Sequence, residues 1–228
     1  MGRTAVSVSE VLDRLERHYG PQTPCWPVDP YRFIVWWHCG YPPSDAACIR
    51  GWESLTERVG IEPAQLLAAT SARLTAALTA GGMVPELRAR RLKEVAARVQ
   101  DQFGGDLRRA LAGRLAEAPA LLKRFPGIAG PGSDRILLFA GLTPIAAVPS
   151  NVPHVLVRIR RGREHDSYTE NYRAAQQILT DGVAAEVSSR SRAYLLLKHH
   201  GQVACKRSKP ACEPCPLKTA CAFVIGAR

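Results

Sequence analysis

Residues 122–141 read LKRFPGIAGPGSDRILLFAG. Both ends carry apolar helical patterns, and between them Pro126-Gly127-Ile128-Ala129-Gly130 allow a turn too tight for bulky residues. One helix is expected to end at Phe125. A second is expected to begin at Ser133 or Asp134 and to turn Ile136, Leu137, Phe139 and Ala140 inward. The result is a hairpin whose turn leaves backbone N–H groups at a helix N-terminus facing outward, where a DNA phosphate is a natural partner. The same pattern also suits an ordinary helix-turn-helix packing unit closed by a glycine cap.

Working outward, helical signals continue. Ser9 can cap an N-terminal helix running to His18, and a proline-rich connector (Pro21, Pro24, Pro27) follows. Asp29-Pro30 opens an aromatic helix, YRFIVWWHC, which breaks at Gly40-Tyr41-Pro42-Pro43. Ser44-Asp45 start a helix to Val59, residues 62–69 form another, and Ser71 caps a third that stops at Gly81-Gly82. The longest and most basic helix spans residues 85–103, with short helices over 106–112 and 118–124. No alternating strand pattern and no fixed-period repeat interrupts the series, so the expected fold class is all-α.

The 228 residues suffice for one large domain or two small ones, and 46% hydrophobic with 22% charged residues excludes a disordered chain. No apolar run is long enough for a signal peptide or a bilayer span, which points to a reducing, cytoplasmic setting. Thirty-one Lys and Arg against 20 Asp and Glu leave a formal charge of +11, and nucleic acid is the leading partner for such a surface.

The tail carries Cys205, Cys212, Cys215 and Cys221 at C-x6-C-x2-C-x5-C, with Lys206, Arg207 and Lys209 between the first two. Four thiolates this close can surround one centre without help from a distant segment. Structural zinc usually uses paired C-x2-C knuckles, and only one is present here. The uneven spacing favours an iron–sulfur cluster, with zinc and then disulfides as the alternatives. Cys25, Cys39 and Cys48 are irregularly placed among apolar residues and read as small buried hydrophobes. Of the adjacent Trp36 and Trp37 only one can face a helix-packed core, leaving the other and Tyr41 available to a base.

The hairpin FPGIAGPGSDRILLFAG resembles the L-P-G-[VI]-G hairpin of the helix-hairpin-helix DNA glycosylases, and the cysteine tail resembles the iron–sulfur loop of their endonuclease III branch. The likeness covers essentially the whole chain. It implies a six-helix barrel over residues 29–141, a second helical domain from residues 1–28 and 142–228, and a DNA cleft between them. It further implies a structural [4Fe-4S] cluster on the four cysteines, and a monomer acting on double-stranded DNA by flipping a damaged or mismatched base. DNA contacts are then expected at Pro126, Gly127, Ile128, Ala129, Gly130, Gly132, Lys206, Arg207 and Lys209.

The catalytic groups depart from that pattern. The family's aspartate, in segments such as V-D-T-H-V or L-D-G-N-V, is matched by Pro149 in Val148-Pro149-Ser150-Asn151-Val152. The hairpin lysine of lyase members falls on Pro131 or Gly132, the glutamate of adenine-removing members on Trp37 or His38, and the second hairpin glycine on Ala129. Lyase chemistry therefore has no evident amine. Asp45 and Asp134 are the substitute carboxylates, each also explicable as a helix cap. Two functions stand side by side: a glycosylase with a non-standard mechanism, and a DNA lesion- or structure-binding protein without chemistry.

Overall fold

The structure is a computed structural model in which residues 6–226 are described. Among them all regular secondary structure is helical, apart from one isolated bridge pairing Tyr41 with Gly82. The chain divides into two compact units, Pro24–Leu142 and Met1–Thr23 with Thr143–Arg228.

The Pro24–Leu142 unit is built on α2 (Pro30–His38), which Asp29 caps by accepting from the Arg32 N–H. Phe33, Ile34, Val35 and Trp36 of α2 are all buried, so core surrounds most of the helix while Arg32 stays exposed. Around it lie α3 (Asp45–Arg58), α4 (Pro63–Ala68), α5 (Ser71–Leu78), α6 (Pro85–Phe103), α7 (Leu107–Ala112), α8 (Ala118–Leu122) and α9 (Gly130–Phe139). The connector belongs to this unit at Trp26, whose ring lies 6.3 Å from Trp36 and 5.2 Å, edge-on, from Phe139. Arg135 of α9 is buried with its guanidinium carbon 3.7 Å from the Trp26 ring centre and 4.7 Å from that of Phe33, so aromatic faces stabilise its charge.

In the other unit α1 (Val8–Tyr19) buries Val8, Val11, Leu12 and Leu15 against α11 (Tyr168–Gly182) and α12 (Val187–Val203). The latter two also flank α10 (His154–Arg161), and α13 (Ala222–Gly226) packs on α10.

Three helix starts differ from the sequence reading. Ser7, not Ser9, caps α1, because its Oγ accepts from the Glu10 N–H and places an acidic residue in the first turn. Thr70, not Ser71, caps α5 through Arg73. The hairpin's second helix begins at Gly130 rather than at Ser133 or Asp134, since Pro131 has the fixed φ suited to a first turn and Ser133 already bonds back to the Ala129 carbonyl. Asp134 therefore lies inside α9, while Asp45 follows the true cap of α3, Ser44.

Candidate nucleic-acid interface and cysteine-lined cavity

The α8–α9 hairpin closes through a short chain of turns in which Phe125 N–H reaches the Leu122 carbonyl and Ile128 N–H the Phe125 carbonyl. Gly127 has φ +70°, where an L side chain is strained, and its missing Cβ would sit 3.2 Å from the His38 ring. Ala129 has φ −103° and ψ −175°, extended backbone open to any residue, so alanine here leaves the turn intact. Gly127 and Ala129 are exposed while the Ile128 side chain is buried beneath them, so Ile128 can offer a ligand only its backbone. No side chain caps α9, and the N–H groups of Gly130 and Gly132 precede its first intrahelical bond. A Cβ on Gly130 would meet open space. Small residues and a positive helix end together make a surface on which an anion's oxygens can approach the backbone.

His38 anchors this turn. Its Nε2–H donates to the Pro126 carbonyl at 2.9 Å, and burial, with smaller effects from Arg91 and Arg88, lowers its pKa to about 4, keeping the ring neutral. Trp36 fills the core and Trp37 stays half-buried, stacked on Phe33 at 6.4 Å.

The same unit presents a second exposed feature. After α2 the chain leaves Tyr41 43% exposed, and after α5 it leaves Met83 58% and Val84 43% exposed. Main-chain bonds staple the two loops: Tyr41 N–H to the Gly81 carbonyl and Met83 N–H to the Tyr41 carbonyl, both 2.9 Å. The apolar tip that results was visible in the sequence only at Tyr41.

In the other unit, the loop after α12 is shaped by turns at Cys205, Ala211, Cys212 and Cys215. All four tail cysteines line one cavity, whose other walls include Ile159, Leu217, Phe223 and Val224. Burial raises the Cys205 thiol to about 11, partly offset by Arg158, and also raises Cys215 and Cys221. Among the described residues no group of three or more His, Cys, Asp or Glu side chains converges closely enough to hold a metal ion. A single zinc with Zn–S bonds of about 2.3 Å would need its sulfurs within about 4 Å of one another. A [4Fe-4S] cluster takes one thiolate at each iron, and four cysteines lining one cavity supply that donor set.

Two buried side chains of α10 support the loop. His154 Nε2–H donates to the Cys205 carbonyl at 2.9 Å. Arg158, 5% exposed, donates at 2.8 Å to the carbonyls of both Lys206 and Arg207, is bonded to Glu164 at 2.7 Å, and has its Nη1 3.9 Å from Cys205 Sγ. With its backbone gripped from inside, the loop turns Lys206, Arg207 and Lys209 to solvent. On the segment where the aspartate was sought, Pro149 is a buried ring and its carbonyl accepts from Val152 N–H.

Comparison with solved structures places these elements. A non-covalent endonuclease III–DNA complex superimposes with a TM-score of 0.74 over 97% of this chain and 98% of that one, at 18% identity. The fold is that of endonuclease III. A trapped covalent endonuclease III–DNA intermediate (0.73, 18%, 97% and 99%) and a thermostable thymine-DNA glycosylase (0.73, 18%, 96% and 95%) share the endonuclease III fold equally. A 3-methyladenine DNA glycosylase from H. pylori bound to 1,N6-ethenoadenine matches less of it (0.58, 17%, 86% and 95%). No protein-family model and no curated protein matches the chain by sequence. No described helix is long and apolar enough to cross a membrane.

Proposed function

We propose that this chain is a base-excision-repair protein that binds double-stranded DNA as a monomer in the cytoplasm and turns a damaged or mismatched base out of the stack. The observation that carries the reading is the hairpin turn, where exposed Gly127 and Ala129 precede an uncapped helix N-terminus held in place by His38. Backbone N–H groups of Gly127, Ala129, Gly130 and Gly132 would grip one phosphate run, and Lys206, Arg207 and Lys209 another. The Tyr41–Met83 tip would enter the stack and occupy the space of the displaced base, as exposed aromatic and thioether groups are suited to do.

Cys205, Cys212, Cys215 and Cys221 would hold a [4Fe-4S] cluster, whose contribution is to cross-link the loop rather than to take part in chemistry. Excision would need a carboxylate beside the sugar to stabilise positive charge as the glycosidic bond breaks and to receive a proton from the attacking water. Asp45 and Asp134 are the candidates. Neither hairpin position expected for a lysine carries an amine, so strand cleavage by a Schiff base is not part of the reading.

A second reading is binding without excision, and the buried Pro149 favours it. A prolyl ring in a packed site can neither stabilise charge nor accept a proton.

Both are tested by incubating iron-loaded protein with duplexes containing oxidised, deaminated, alkylated and abasic nucleotides, measuring released base and strand nicks separately. Base release that disappears in Asp45→Asn or Asp134→Asn identifies the relocated carboxylate. Lesion-selective binding with no release in the parent selects the second reading, and equal, weak affinity for every duplex overturns both.

A further inference from the structure

Arg88 holds the tip from below. Arg88 of α6 is 2% exposed and donates to four main-chain carbonyls: Met83 at 3.0 Å through Nε, Cys39 at 2.7 Å through Nη1, and Leu78 and Gly82 at 2.8 Å through Nη2. These acceptors are the C-terminal ends of α2 and α5 and the turn between Gly82 and Met83, the three backbone segments that meet under Tyr41, Met83 and Val84. Gly81 and Gly82 let them approach so closely that a Cβ on either would collide with the Cys39 or Tyr41 carbonyl, at 1.7 and 2.3 Å. Val84, a β-branched residue, is at φ +50°. Such a conformation persists only where the surroundings enforce it, and Arg88 bonds the two carbonyls immediately before it.

We infer that Arg88 is the positioning residue of the tip, fixing Tyr41 and Met83 in the rigid, projecting arrangement needed to unstack a base; the inference rests on the DNA-binding function proposed above. A soft tip would fold back along the duplex surface, whereas one whose backbone is pinned at four points transmits binding energy into separation of a base step. Only a guanidinium can do this, because its planar fork reaches three segments at once while a lysine ammonium offers one point.

The test uses a duplex with a single 2-aminopurine, whose fluorescence rises on unstacking, and full-length protein at a temperature where circular dichroism shows every variant folded. Arg88→Lys is expected to keep duplex affinity and its salt slope within about threefold, because the hairpin is untouched, yet to lose most of the fluorescence rise, about fivefold or more. A Tyr41→Ala/Met83→Ala double variant should lose the same amount, and adding Arg88→Lys to it should cost nothing further. An undiminished rise in Arg88→Lys, or a loss that adds to that of the double variant, overturns the positioning role while leaving the proposed function standing. A parent protein that unstacks no base in any duplex overturns both.

Discussion

His38 and Pro126 are 88 positions apart, yet the Nε2–H of one meets the carbonyl of the other at 2.9 Å in the interior of the Pro24–Leu142 unit. The bond ties the most buried helix of that unit to the turn that offers its backbone to solvent. Core integrity and the shape of the proposed phosphate site are thereby linked.

That link has a pH dependence. The folded-state pKa of His38, about 4, lies below its ordinary value of 6.5. Its neutral form therefore contributes stability that is fully present above pH 6.5 and lost as pH falls toward 4, an amount on the order of 3 kcal/mol. His38→Phe should lose about 1–3 kcal/mol at pH 7.5 from the stranded carbonyl, and the gap to the parent should narrow by pH 4.5. Urea unfolding of both proteins at the two pH values measures this; a gap that widens in acid contradicts it.

Gly127→Ala places a Cβ at φ +70° and 3.2 Å from the His38 ring. The expected cost is about 1–2 kcal/mol in stability, with a loss of duplex affinity of about tenfold or more. Ala129→Gly, at extended backbone, should change affinity by less than about twofold. Fluorescence anisotropy with one labelled duplex reads both.

Cys212→Ser should yield protein without the brown absorption and with lower iron and sulfide content, and a thermal transition of the Met1–Thr23, Thr143–Arg228 unit shifted down. Lys206→Ala with Arg207→Ala should leave iron content intact, weaken binding to every duplex alike and flatten the slope of log affinity against log salt by roughly one per lost phosphate contact. An unchanged slope would put DNA elsewhere on the surface.

Arg158→Met removes the charge that partners Glu164 and frees the Lys206 and Arg207 carbonyls. A loss of about 3 kcal/mol is expected, since Glu164, 20% exposed, would be left with only the longer pair to Arg207 at 3.6 Å. Chemical denaturation followed by far-ultraviolet circular dichroism gives the value, and a loss below about 1 kcal/mol would show that the loop holds itself.

Much of this architecture was legible because prolines, glycines and caps mark helix ends directly: Asp29-Pro30, Ser44 and Gly127 all act as their residue types suggest. Starts slipped where two hydroxyl residues compete, as at Ser7 and Ser9 or Thr70 and Ser71, since only geometry shows which oxygen reaches an N–H. Asp134 was misread because Pro131 can open a helix earlier than a serine would. Arg88 and Arg158 were hidden in plain composition, two arginines among many in a basic chain. A signal for Arg88 did exist: it lies in register with Leu92, Val95, Val99 and Phe103 on the buried stripe of α6, where an unpaired charge would be too costly to keep without a dedicated set of acceptors. The clustering of Met83 with Tyr41 had no signal, because it depends on two loops meeting across α3 and α5.

The Met1–Thr23, Thr143–Arg228 unit draws on both ends of the chain, and α1 has nothing to bury Val11, Leu12 and Leu15 against until α11 and α12 exist. During synthesis the Pro24–Leu142 unit can therefore close first, while the opening helix waits, apolar face uncovered, for the last third of the polypeptide to emerge. The four tail cysteines leave the ribosome after every other element of that unit except α13. Were these cysteines to take the proposed cluster, its acquisition would follow the folding of α1, α10, α11 and α12.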